Sequence, residues 1–125
     1  MILTAHQPVY LPWLGLFHKI ALADLFCYFD IVQYQRKDYN NRNKVKTSNG
    51  ELWLSVPVES KNHLSKNVSK ILIVQDNWVK KHLKSIELNY KKTPFFKDYF
   101  PELQSILIND SKDSLGYLNL KLLEY

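Results

Sequence analysis

Residues 2–30 read ILTAHQPVYLPWLGLFHKIALADLFCYFD, and the order of signals inside them decides the fold. Ile2-Leu3-Thr4-Ala5 is short and apolar and is stopped by Pro8 and Pro12, which predicts a buried strand at the chain start. The two prolines frame a loop, because each removes a backbone donor and biases the residue before it toward extended angles. Trp13 to Ala23 is free of proline. Leu14, Phe17 and Ala21 share one face there at spacings of three and four, which predicts a helix ended by Asp24. Leu25-Phe26-Cys27-Tyr28-Phe29 is a continuous apolar run, and its shortness and aromatic content favour a strand buried on both faces. Cys27 is then expected to be a buried, inert thiol. Strand, loop, helix, strand is a βαβ unit, so the two strands run parallel with a crossover between them.

Beyond residue 30 the pattern changes. Ser48-Asn49-Gly50 is a turn signal between Asn43–Thr47 and Glu51–Val56, and it predicts a β-hairpin that Pro57 ends. Lys70–Val74 is a further expected strand. Asp76 is placed to cap a helix running to Tyr90, with Val79, Leu83, Ile86 and Tyr90 as its apolar stripe. Thr93-Pro94 opens a short helical segment through Tyr99, and Pro101 suits the first position of another helix. Ser114–Tyr125 is helical again, with Leu115, Leu118, Leu122 and Leu123 apolar. The expected fold is one α/β domain over 1–125. It has a mixed, mainly parallel sheet with flanking helices and a β-hairpin insertion, and is nucleotidyltransferase-like at the N-terminus. The last helix ends in Leu122-Leu123-Glu124-Tyr125 without a polar tail, the pattern expected of the truncated N-terminal part of a longer protein. If exposed, that apolar helix favours a homodimer.

Composition excludes several classes. Of 125 residues, 46% are hydrophobic and 23% charged, enough to fill a core and incompatible with a mostly disordered chain. One cysteine rules out an intramolecular disulfide framework, and the cytoplasm is the expected compartment. Three glycines cannot draw a Gly-rich phosphate loop. No Cys pair, His-Glu-x-x-His or calcium loop is present, so no metal ligands are assigned. The net charge of +5 is concentrated in residues 61–92, where eight lysines face two acids. Such a middle attracts phosphates, or is a solvated lysine-rich face.

The densest cluster of chemistry is His6-Gln7-Pro8-Val9-Tyr10-Leu11-Pro12-Trp13. It lies where the first strand passes into the first helix, the junction at which α/β units bind ligands. His6 and Gln7 are the candidates for contact with phosphate or developing charge, and Tyr10 and Trp13 for shaping a pocket. Lys19 is a candidate phosphate contact. Asp30 directly follows the second strand, so it points to the same end and could orient an amine or a magnesium ion. Asn41-Arg42-Asn43-Lys44 is a second cluster. Arg42 offers a planar fork for phosphate or carboxylate, and Asn43 and Lys44 are candidates beside it. The structural alternative is a hairpin entrance with asparagines in turn positions. His63 and His82 are isolated, and packed or surface positions are expected for them. Tyr28, Tyr34 and Tyr39 could line a sugar or base site. Trp53 and Trp78 read as core or interface aromatics.

The string from His6 to Ile20, followed by Ala23-Asp24, resembles the opening of the WbqC-like family of bacteria. Asp30-Ile31-Val32-Gln33-Tyr34, Asn41-Arg42-Asn43-Lys44-Val45-Lys46 and Trp53-Leu54-Ser55-Val56-Pro57-Val58 extend the match in order. Members of that family are usually about twice this length. The resemblance implies a role in bacterial surface polysaccharide (O-antigen) biosynthesis, with glycine transfer to an amino sugar as the suggested chemistry. The layout also looks like a nucleotidyltransferase, in which a His-bearing loop after the first strand holds nucleotide phosphates. The paired histidines around a glycine of those enzymes are not reproduced: His6 stands far from His18, and Gly15 is not beside His18.

The expected function is therefore a transferase. It activates a carboxylate with a nucleotide and passes aminoacyl or nucleotidyl groups to an amino sugar, with ATP or a nucleotide sugar and magnesium as the expected co-substrates. The alternative is a non-catalytic module holding a nucleotide sugar or a partner protein. Nucleic-acid binding ranks last, because no recognisable motif accompanies the lysines.

Overall fold

The computed structural model describes residues 1–125, the side chain of Leu64 excepted. β1 (Leu3–His6), α1 (Leu14–Ala21) and β2 (Leu25–Tyr28) form the expected βαβ unit, with Leu3 opposite Leu25 and His6 opposite Tyr28 in parallel register. Asp24 closes its base. The Ile2 N–H donates to the Asp24 carboxylate at 2.6 Å, and the Asp24 N–H returns a bond to the Ile2 carbonyl at 2.9 Å. At the other end the Phe29 N–H donates to the His6 carbonyl at 3.0 Å. The carboxyl ends of both strands therefore lie side by side.

β3 (Arg42–Thr47) and β4 (Gly50–Ser55) are antiparallel and form their own two-stranded sheet. The turn sits one residue earlier than expected. Ser48 and Asn49 occupy it, and Gly50 starts β4 at φ 113°, a conformation open to glycine and strained for other residues. α2 (Trp78–Tyr90), α3 (Phe96–Asn109) and α4 (Leu115–Glu124) complete the chain. Asp76 accepts the Trp78 N–H at 2.7 Å, and the Ser114 hydroxyl accepts the Tyr117 N–H at 3.2 Å, so both helix starts have side-chain acceptors.

Several expectations are corrected. The sheet is not mainly parallel: a parallel pair and a separate hairpin are the named strands among the described residues. One βαβ unit is all that stands of the expected parallel layout among the described residues, and a single such unit does not bear out a nucleotidyltransferase-like N-terminus. Of the expected strand Lys70–Val74, Lys70 ends a short 3-10 turn (Val68–Lys70) and the extended part starts at Ile71, with Ile71 and Ile73 buried and Leu72 and Val74 exposed; it makes single bridges, Val58 with Ile73 and Leu72 with Ser114. Its neighbours are irregular segments, so no ladder grows. β2 is half-open, Leu25 is exposed and so is Cys27, because a two-stranded sheet has no further layer over that side. Pro101 lies inside α3 and starts no new helix; the single bond it removes does not interrupt that helix. The buried face of α2 is rotated to Trp78, His82, Leu83 and Ile86.

α4 lies at the centre. Leu115 and Leu118 are fully buried with Tyr10, Val56, Val68, Ile71 and Leu107. Burying each such leucine contributes about 1.5–3 kcal/mol. The apolar face of α4 is consumed here, which removes the expected basis for a homodimer. Close approach is made possible by Gly116: a Cβ there would stand 2.9 Å from Ser69 Cα. Gly116→Ala gains helix propensity but must push α4 away from Val68–Lys70. We expect a net loss of about 1–2 kcal/mol, read as a lower urea midpoint at unchanged slope.

Candidate functional site

The carbonyls of the proline-framed loop accept from two asparagine side chains, Asn40 just before β3 and Asn43, the second residue of β3. Asn40 Nδ2 donates to the Pro8 carbonyl at 2.9 Å. Asn43 Nδ2 donates to the Leu11 carbonyl at 2.8 Å and the Tyr10 carbonyl at 3.2 Å. The Tyr10 N–H bonds the Tyr39 carbonyl at 3.1 Å. Clamped this way, Leu11 is held at φ 48°, a left-handed conformation that non-glycine residues seldom adopt. The two sequence clusters are therefore one structure: the asparagines of the second position the loop of the first.

Above this clamp lies a cleft of about 370 Å³ lined by Trp13, Tyr39 and Asn43. Its aromatic rings follow one another. The His6 and Trp13 centroids are 5.5 Å apart, Trp13 and Tyr39 6.3 Å, Tyr39 and Trp53 5.8 Å. Trp13, Tyr39 and Trp53 are 45%, 42% and 40% exposed, so their rings are open to solvent. Arg42 lies over the Trp53 ring at 4.2 Å and Lys44 at 5.0 Å, a cation–π arrangement. Lys44 also pairs with Glu51, whose carboxylate pushes the ammonium pKa above its ordinary value. Arg42 donates to the Lys37 carbonyl, and its Nε is buried without a hydrogen-bond partner among the described residues.

His6 Nδ1 donates to the Gln7 carbonyl at 2.8 Å. In the neutral ring this makes Nε2 the lone-pair nitrogen, available to accept a proton or a hydrogen bond. Gln7 and Asp30 follow the paired ends of β1 and β2, so both stand at the carboxyl edge. Asp30 is half-buried, and its backbone carbonyl accepts the Ser69 N–H at 3.1 Å.

The structure thus places Trp13 and Asn43 in the lining of the cleft with Tyr39, sets His6 beside Trp13, and puts Arg42 and Lys44 one ring beyond Tyr39, over Trp53. It separates others. Tyr10 is fully buried beneath, its hydroxyl 2.8 Å from His82 Nδ1, so it supports the loop from below and has no surface for a ligand. Lys19 Nζ donates to the Ala5 carbonyl at 2.8 Å and is not among the lining residues. Trp53, read from sequence as a core or interface aromatic, is an exposed ring beside the cleft, next to Tyr39. The register could have found it: Trp53 stands opposite Lys44, and Arg42 and Lys44 share a strand face. Among the described residues no group of three or more His, Cys, Asp or Glu is placed to hold a metal ion. No helix is long and apolar enough to cross a membrane.

The model of the WbqC-like protein family matches residues 7–125. Over 117 residues the chain is 36% identical to the Uncharacterized protein Rv1507c of Mycobacterium tuberculosis, an alignment covering 94% of this chain and 51% of that protein. The chain spans about half the length of the curated relative it matches. No solved structure matches.

Proposed function

This chain belongs to the WbqC-like protein family, and on that premise we propose that it forms the nucleotide-holding part of a transferase of bacterial surface polysaccharide biosynthesis. The transferred group is aminoacyl, with glycine the simplest case, or nucleotidyl, and the acceptor is an amino sugar. One observation carries the reading: open aromatic rings and two cations, Arg42 and Lys44, flank a cleft built on the clamped loop between β1 and α1. Ligand sites of α/β units favour that position.

Such chemistry needs charge stabilisation and positioning more than a strong nucleophile. Arg42 and Lys44 turn from Trp53 and Glu51 to the phosphates of ATP or a nucleotide sugar. His6 Nε2 takes the proton that the attacking amine loses. Gln7 and Asp30 orient that amine at the strand ends, and Lys19 adds positive charge behind them. Trp13 and Asn43 hold the cleft's shape, with Tyr10 supporting the loop below. Magnesium in such a reaction is carried chiefly by nucleotide phosphates, with one or two carboxylates assisting, and Asp30 is the residue suited to that part.

A second reading, a non-catalytic module for a nucleotide sugar, is favoured by polar groups at the cleft that are already tied to protein partners: Asn43 and, at its margin, Lys44. Calorimetric titration with ATP and nucleotide sugars tests both. We expect Arg42→Ala and His6→Ala each to weaken binding about ten-fold or more, equivalent to about 1.4 kcal/mol. Unchanged affinity in both variants defeats the proposal. Pyrophosphate release by the full-length protein separates the enzyme from the binder.

A further inference from the structure

We infer that the cleft recognises the face of a nucleobase and does not read its edge, and that Gly15 is the positioning residue that keeps Trp13 in place for this. The inference rests on the nucleotide reading above and gives it a specificity.

Reading a base edge takes a donor and an acceptor held together, as a side-chain amide holds them, and the lone His6 Nε2 beside Trp13 supplies only one of the two. The amides nearest this rim are spent. Asn43 Nδ2 is held by the Leu11 and Tyr10 carbonyls, and its Oδ1 accepts the Lys44 N–H at 2.8 Å. Asn40 Nδ2 and Asn41 Nδ2 serve the Pro8 and Val56 carbonyls. Diverting Asn40 or Asn43 to a ligand releases the clamp on a loop that carries a left-handed Leu11, and diverting Asn41 leaves the Val56 carbonyl without that donor. What the cleft and its margin offer instead is ring surface, on Trp13 and Tyr39 in the lining and on Trp53 beside Tyr39. Stacking on such surfaces tolerates any base, because every base has a π-face. The phosphates attached to that base then fall to Arg42 and Lys44, which already lie over Trp53.

Trp13 precedes α1, and its indole folds back over Gly15. A Cβ on Gly15 would stand 2.7 Å from Trp13 Nε1 and 3.0 Å from Cδ1. Its two closest contacts are on that one side chain, so the helix backbone tolerates alanine and the indole has to move. Alanine is otherwise the better helix residue. Glycine at this place therefore lowers intrinsic helix stability while keeping one wall of the cleft.

The test is calorimetric titration of the protein with ADP, GDP, CDP, UDP, inorganic pyrophosphate and a hexose 1-phosphate. We expect the four nucleoside diphosphates to bind within about five-fold of one another, and pyrophosphate and the hexose phosphate about ten-fold more weakly or worse. Gly15→Ala and Trp53→Ala each weaken the diphosphates about ten-fold, while Gly15→Ala melts no lower than the parent. A preference for one base beyond about ten-fold overturns face recognition while leaving the nucleotide reading intact. Pyrophosphate or the hexose phosphate binding as tightly as ADP also overturns it. Gly15→Ala with full affinity removes the role of Gly15. Failure of every probe to bind overturns the nucleotide reading, and this inference with it.

Discussion

Replacing Asn40 by alanine lowers the unfolding free energy by about 3 kcal/mol, one of the two largest effects expected here. Asn40 is fully buried and joins three segments. Its Nδ2 donates to the Pro8 carbonyl, its Oδ1 accepts the Gln35 N–H, and its backbone carbonyl accepts Asn119 Nδ2 at 2.8 Å. Alanine keeps the last of these and orphans the Pro8 carbonyl and the Gln35 N–H. An unsatisfied buried group costs about 1–3 kcal/mol, and the longer 3.3 Å bond to Gln35 contributes the smaller share. Asn40→Asp retains the acceptor, loses the donor and buries a carboxylate, so it is expected to be no better. Urea unfolding of the three proteins measures this. A loss below about 1 kcal/mol for Asn40→Ala would mean that the loop holds its shape without the clamp. Because the same loop carries Trp13, the variant is also expected to lose affinity at the cleft.

Acid weakens the fold through His82. Burial deprives the imidazolium of water and lowers its pKa from 6.5 to about 4, against the opposing influence of a Ser55 backbone hydrogen bond and the Asp76 charge. The folded value lies below the unfolded one. Between pH 6.5 and about 4 the unfolded chain therefore binds a proton that the folded protein refuses. Stability falls with pH through that window, by up to about 3 kcal/mol in all, and this contribution stops changing below it. Above the window His82 is neutral in both states and adds no pH dependence. The neutral ring accepts from the Tyr10 hydroxyl, whose own ionisation burial pushes far upward. His82→Gln keeps a hydrogen-bonding side chain opposite Tyr10 and removes the titration. Chemical unfolding of both proteins from pH 7.5 to 4 is the measurement. We expect the parent to lose more stability than the variant across the window, and parallel profiles would show that His82 does not titrate there.

The strand-to-helix junction that carries His6, Gln7 and Trp13 is legible in the sequence, because Pro8 and Pro12 between them restrict the backbone through local sterics. Arg42, Asn43 and Lys44 were found as a dense polar cluster. That Asn43 serves as a clamp depends on Leu11, whose unpaired carbonyl it reaches across 32 residues of chain. Tyr10 and Trp53 are exchanged relative to expectation. Both are aromatic residues in apolar surroundings of sequence, and such a residue packs wherever a complementary surface stands opposite. α2 stands over Tyr10, with Trp78 and His82 facing it, whereas Trp53 meets the half-exposed Tyr39 ring and two cationic side chains and no helix. Cys27 fails in the same way as Trp53: its strand was correctly placed, and its cover was assumed.

The amino-acid sequence by itself determined the βαβ start, the hairpin about Ser48-Asn49, the first turn of α4 at Ser114 and the two polar clusters that Asn43 ties together. These follow from backbone restrictions and short periodicities that act within a few residues. The tertiary structure alone decided that the two strand pairs stay separate, that α4 lies at the centre, and that Trp53 faces solvent while Tyr10 does not. Burial is settled by which distant surfaces meet, and a local pattern records which side of an element is apolar without recording what comes to cover it.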